Sequence, residues 1–185
     1  MCFALLYADG KFHLSRNFNL QAVGDYAWLM ENYEFESIAR SIDELLILNV
    51  GRNPGAWDDF ILTVQKLVKR CFMPVAVGGG IRTTEQARQL FANGADKLVL
   101  NAAFFQAPEL IEELAGCYGS QSIVASLDFR RDEEGARIFA DGGRVDTGLE
   151  LAAGIMCAAS LGAGELDLTS IERDGTGMGD DLPAL

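Results

Sequence analysis

The chain has 185 residues and a mass of 20.0 kDa, enough for one domain or two small ones at ~100–200 residues per domain. Apolar residues make up 49% and charged residues 23%, which excludes a mainly disordered chain. With 15 basic and 27 acidic side chains the formal net charge is −12, a field that repels phosphate backbones and argues against a nucleic-acid partner.

In chain order, short apolar runs alternate with amphipathic helical patterns. Residues 3–7 read as a buried strand. The alternating stretch from Lys11 to Arg16 follows, so His13, the single histidine, reads as a hairpin residue rather than a catalytic base. A helix is expected over 23–39, a strand over 44–50 and a helix over 57–70, where Phe60, Ile61, Val64, Leu67 and Val68 recur on one face. A strand over 74–77 comes next. The helix over 84–93 starts at Thr83 or Thr84 and stops at Asn93-Gly94. A strand over 97–101, a helix over 108–117 and a strand over 122–128 follow. The acidic stretch 131–135 reads as a solvated turn before a short hairpin at 136–145. A helix over 148–161 and a strand over 165–170 complete the pattern.

This alternation predicts an α/β fold with a parallel sheet. No dinucleotide-binding glycine pattern follows the first strand; Gly78-Gly79-Gly80 follows the third instead. Residues 43–48 weakly resemble residues 164–169, a repeat of about half a barrel's length. Both features suit a closed (βα) barrel better than an open doubly wound sheet. Cys2, Cys71, Cys117 and Cys157 lie far apart, so neither a metal site nor a disulfide framework is expected, and no cofactor motif is present. The N-terminus lacks the basic region of a signal peptide, and the most apolar stretch, 149–163, is too short to span a bilayer. The expectation is a reduced, cytoplasmic, soluble protein without a membrane partner.

Chemistry is expected at strand C-termini. Asp128 ends its apolar run and is placed to exchange protons if burial raises its pKa; the alternative is a carboxylate paired with Arg130 or Arg131, or one capping a loop. The loop after residue 168 carries hydroxyls on Thr169, Ser170 and Thr176 and free N–H groups near Gly175, suited to a polar or phosphorylated substrate, or else it is a plain surface loop. Gly80 and Asn101-Ala102, on successive loops, can be read as one phosphate site.

Together these motifs resemble the cyclase subunit of imidazole glycerol phosphate synthase, the HisF family. The stretches 42–48, 74–81, 94–103, 118–124, 162–165 and 169–176 carry the resemblance, in order and at family spacing, within a match running from about Phe3 to the last residue. The resemblance implies a (βα)8 barrel, here with about six of its eight units, as one domain over residues 1–185. Such a barrel takes ammonia from a glutaminase subunit. It delivers it to a phosphorylated ribulosyl substrate, PRFAR, forming imidazole glycerol phosphate and AICAR. Carboxylates on the first and fifth strands serve as general acid and base.

Carried over by position, Asp128 matches the fifth-strand carboxylate. Gly79, Gly80, Asn101 and Ala102 match the first phosphate site, where the family usually has threonine at Ala102. Asp174 and Gly175 match part of the second phosphate site. Asn49, Thr169 and Ser170 fall at substrate-binding positions; at Asn49 the family's second strand normally ends in aspartate. Glu44, Lys97 and Glu165 match members of a charged ring where ammonia enters, whose fourth member, an arginine, would precede Met1.

Several residues depart from the family. Leu6 falls where the first-strand aspartate belongs and Leu14 where a lysine is expected; leucine moves no proton. Asp167 stands where the family is apolar. The chain also stops short of the ~250 residues of a complete barrel. Leu5-Leu6 and Cys71-Phe72-Met73-Pro74 resemble a HisF-like branch associated with amidation of surface-polysaccharide sugars. The competing expectations are therefore the cyclase subunit, that ammonia-channelling branch, a non-catalytic truncated homologue, and an unrelated phosphate-binding barrel.

Overall fold

A computed structural model of the chain describes residues 2–133, 135–179 and 181. The chain divides into two compact units, Met1–Leu14 with Gln21–Val99, and Ser15–Leu20 with Leu100–Leu185.

In the first unit β1 (Cys2–Ala8) turns back into β2 (Lys11–Arg16), with Leu6 opposite His13 in an antiparallel pair. The two-residue turn, Asp9-Gly10, takes φ of 47° and 80°, the left-handed pair that a tight hairpin demands and that Asp-Gly supplies at least cost. Next, β3 (Asn19–Gly24) pairs with β2. The expected helix over 23–39 is corrected here. Asp25 caps α1 (Tyr26–Asn32) by accepting the Trp28 N–H at 2.9 Å. Tyr33 then leaves the helix in extended geometry before the one-turn α2 (Phe35–Ile38). An N-capping carboxylate and a strand pairing through Gly24 outcompete a continuous helical pattern.

Four parallel strands follow in the order β1, β4 (Glu44–Asn49), β5 (Val75–Gly78) and β6 (Lys97–Leu100). Between them lie α3 (Trp57–Val68) and α4 (Thr84–Ala92). The helix α3 buries Phe60, Val64 and Leu67, from the face its periodicity predicts, and each such burial contributes roughly 1.5–3 kcal/mol. Phe60 meets the ring of Tyr7 at 5.6 Å and that of Trp57 at 5.8 Å. The Thr83 hydroxyl caps α4 by accepting the Gln86 N–H at 3.2 Å, and the chain stops at Asn93-Gly94 as read.

The second unit begins with the short α5 (Ala103–Gln106), which the sequence pattern does not announce, and α6 (Pro108–Tyr118), opened by its proline. Then come β7 (Ile123–Asp132), β8 (Gly135–Ala140), β9 (Val145–Glu150), α7 (Leu151–Ser160) and β10 (Glu165–Ser170). The central β7 has β10 parallel on one side and the β8–β9 hairpin antiparallel on the other. Two expectations change. Strand β7 does not end at Asp128 but continues to Asp132, because Asp128 to Asp132 pair with Phe139 to Gly135. Residues 148–150 belong to β9, so α7 starts later than read. The expected turn at 131–135 therefore narrows to the β7–β8 connection; its Glu134 lies outside the described residues, as do residues 182–185 at the end of the family-like stretch.

Alternation sorts side chains between the two faces of each sheet. On one face of β7 and β10, Leu127, Phe129 and Leu168 pack with Ile138 and Leu151. Gly154 on α7 faces Ile138 closely: a Cβ there would lie 1.9 Å from Ile138 Cδ1, which would have to turn aside. The opposite face carries Ser126 and Asp128 on β7 and Asp167 and Thr169 on β10.

Candidate functional site

The polar face of the second unit holds the strongest chemistry. The register sets Thr169 opposite Asp128 and Asp167 opposite Ser126. Asn101, just before α5, donates from Nδ2 to Asp128 Oδ2 at 3.2 Å. Ser126, itself buried, donates its hydroxyl to Asp167 Oδ2 at 3.0 Å. Neither neighbouring arginine neutralises Asp128. Arg130 lies over the Phe139 ring and donates to the Gly143 carbonyl, and Arg131 pairs with Asp181 at 3.4 Å. Burial pushes the Asp128 carboxyl up, the like charges of Asp167 and Asp174 push the same way, and the Asn101 hydrogen bond only partly opposes them. The result is a pKa of about 7, where a carboxyl group both gives and takes protons at neutral pH.

Beyond β10 the chain forms a cavity of about 330 Å³ lined by Thr169, Ser170, Arg173, Asp174 and Gly175, with Phe129 and Leu168 as apolar wall. The tip of the β2–β3 hairpin belongs to the same unit and fixes this loop. The Ser15 hydroxyl donates to the Asp174 carboxylate, and the Phe18 N–H donates to the Asp174 carbonyl at 3.3 Å. Gly175, at φ 67°, lies so close to the hairpin that a Cβ would meet the Ser15 carbonyl oxygen at 2.3 Å. A more open cavity of about 660 Å³ in the first unit, lined by Tyr33, Phe35, Lys69, Arg70 and Phe72 among others, holds none of the residues expected to act.

Within the first unit, Gly79 and Gly80 follow β5 with φ of 88° and 74°. Gly79 sits against the end of β4, where an added Cβ would lie 2.0 Å from the Asn49 carbonyl oxygen. The Asn49 side chain accepts the Gly51 N–H at 3.1 Å and so shapes its own turn. Lys97 pairs with Glu44 at 2.9 Å, on the N-terminal ends of their strands. Leu6 shares the face of Leu48 and lies opposite the buried Leu5 and Tyr7. Among the described residues of β1, β4, β5 and β6, Glu44 is the only strand carboxylate.

The structure thus joins Asp128 to Asn101, Thr169 and Ser170 to Asp174 and Gly175, Asn49 to Gly79, and Glu44 to Lys97. Ala102 stands at the start of α5, its carbonyl accepting the Phe105 and Gln106 N–H groups. Glu165 opens β10 opposite Val124. Sequence reasoning overlooked Ser126 and Arg173. Ser126 sits two residues before Asp128, a period-2 signal that places both on one face. Arg173 stands inside the glycine-rich run beside Asp174.

A parallel-stranded α/β scaffold with alternating helices, a buried-face carboxyl on one strand and a hydroxyl- and glycine-rich loop after its neighbour defines the class, that of (βα)-barrel family folds. The family described as histidine biosynthesis protein matches residues 16–185, and the chain belongs to that family. It is 43% identical over 180 residues to a Parasynechococcus marenigrum protein provisionally named imidazole glycerol phosphate synthase subunit hisF2, covering 97% of this chain and 67% of that one. It is 40% identical over 163 residues to imidazole glycerol phosphate synthase subunit HisF of Acidobacterium capsulatum, with coverages of 88% and 63%. To the subunit of the same name from Streptococcus sanguinis it is 36% identical over 179 residues, with coverages of 96% and 69%. The chain spans about two thirds of the length of these curated relatives. Among the described residues no helix is long and apolar enough to cross a membrane.

Proposed function

We propose that the chain carries the acid–base half of a HisF-type cyclase site, using glutaminase-derived ammonia on PRFAR to form imidazole glycerol phosphate and AICAR in the cytoplasm. The observation that carries this reading is the Asp128 carboxyl, poised near neutrality on the polar face of the β7–β10 pair. In this reading Asp128 holds and moves the proton, and Asn101 orients its carboxyl group. The hydroxyls of Thr169 and Ser170 hold the sugar chain. The cavity beside Arg173, Asp174 and Gly175 takes one phosphate. In the first unit, Gly79 and Gly80 serve the other, and Asn49 shapes the substrate side of its loop. The Glu44–Lys97 pair guards the entry of ammonia from the glutaminase partner. Both units then form parts of one HisF-like domain, a reading supported by a family match that runs through both.

A second reading rests on Leu6. With an alkyl side chain in place of a strand carboxylate, ammonia would be passed to a nucleotide-linked sugar on a partner enzyme rather than consumed here. Turnover of PRFAR by the purified chain with ammonium salt separates the two. Formation of AICAR, lost in Asp128→Asn, supports the cyclase reading. Absence of AICAR from well-folded protein refutes it and favours the channelling reading.

A further inference from the structure

Asp167 is a charged residue on the polar side of an alternating strand, between Leu166 and Leu168, and its surroundings give it a definite place. It occupies the same face of the β7–β10 pair as Asp128, diagonally opposite and two residues along the register. Strands spaced ~4.8 Å apart with ~3.3 Å per residue put such diagonal partners about 8 Å apart at Cα, with side chains on one side of the sheet. The buried Ser126 hydroxyl donates to Asp167 Oδ2, and a donated hydrogen bond favours the charged carboxylate. From the other elements, Asp128 is faced by Asp174 in the loop after β10, by the neutral Asn101 amide before α5, and by Phe139 on β8. Of the two cations on its own strand, Arg130 is held over the Phe139 ring and on the Gly143 carbonyl, and Arg131 pairs with Asp181.

We infer that Asp167 is a positioning residue for Asp128: anchored by Ser126, its carboxylate faces the Asp128 carboxyl across the strand pair and keeps the proton there until a substrate engages it. This rests on the reading of Asp128 as the acid–base group. It adds a residue outside that machinery, on the polar face of the β7–β10 pair. Ser126 belongs to the same device, since without its hydroxyl the Asp167 carboxylate has one anchor fewer.

The test is a carboxyl carbon-13 NMR titration of the full chain, with Asp128 and Asp167 assigned in the unsubstituted protein by backbone-to-side-chain triple-resonance correlations. In Asp167→Asn the Asp128 midpoint should fall by about one pH unit, because a like charge is removed at nearly constant shape. In Asp167→Glu, which keeps the charge, it should stay near the parent value. In the unsubstituted protein the Asp167 resonance should inflect a second time at the Asp128 midpoint, as coupled sites do; this arm needs no variant and stands even if a substituted chain fails to fold. An unmoved Asp128 midpoint in folded Asp167→Asn, or a single-step Asp167 curve, overturns the inference. The readout requires no turnover. Absence of AICAR formation would count against the cyclase reading, while a moved midpoint would still support the coupling.

Discussion

Replacing Asp128 by Asn tests the electrostatics of the site through stability. The Asp128 carboxyl is raised from 3.8 to about 7 in the folded chain. Between those values the folded state holds a proton that the unfolded state has released. Stability should therefore fall as pH rises through this window and level off above it. At 1.36 kcal/mol per pH unit, the charged carboxylate costs the fold on the order of 4 kcal/mol above neutrality. Asparagine keeps the shape and never acquires the charge. The variant should match the parent near pH ~4, gain progressively through pH ~6, and exceed it by about 3–4 kcal/mol at pH ~8. Urea unfolding followed by far-ultraviolet circular dichroism across that range measures the difference. A stability difference that is constant with pH would refute the argument, since loss of the Asn101 contact alone has no such dependence.

Gly79→Ala places a Cβ 2.0 Å from the Asn49 carbonyl oxygen at a backbone φ of 88°, so its melting temperature should drop, by an equivalent of about 2 kcal/mol or more. Phe60→Ala removes a fully buried ring in tilted contact with Tyr7 and Trp57 and should cost about 3–5 kcal/mol in chemical denaturation. A double-mutant cycle of Lys97→Met and Glu44→Gln should return a coupling of about 1–2 kcal/mol for this partly buried pair, and additivity would show the contact to be idle. Gly175→Ala should weaken the seat of the hairpin tip on the loop after β10, seen as faster amide exchange at Phe18.

Hydrophobic period and end signals were enough to read the parallel strands and most helices, because burial on one face and capping at the ends are local requirements. Helix α3 and its apolar stripe, the Thr83 cap and the strand at 165–170 follow from neighbouring residues alone. So did the candidacy of Asp128, Thr169, Ser170 and Gly175, which sit in short polar runs at the ends of apolar ones, whereas Asp174 entered only through the family resemblance. The extension of β7 to Asp132 and the late start of α7 depended on pairing with β8 and β9, and a hydrogen-bond ladder between distant segments leaves no local mark. The split of the 23–39 helix followed from β3 joining the first hairpin. The proton affinity of Asp128 was likewise set in three dimensions: burial, the register that brings Asp167 and Asp174 near, and the diversion of Arg130 to Phe139 all act through space between residues far apart in the chain.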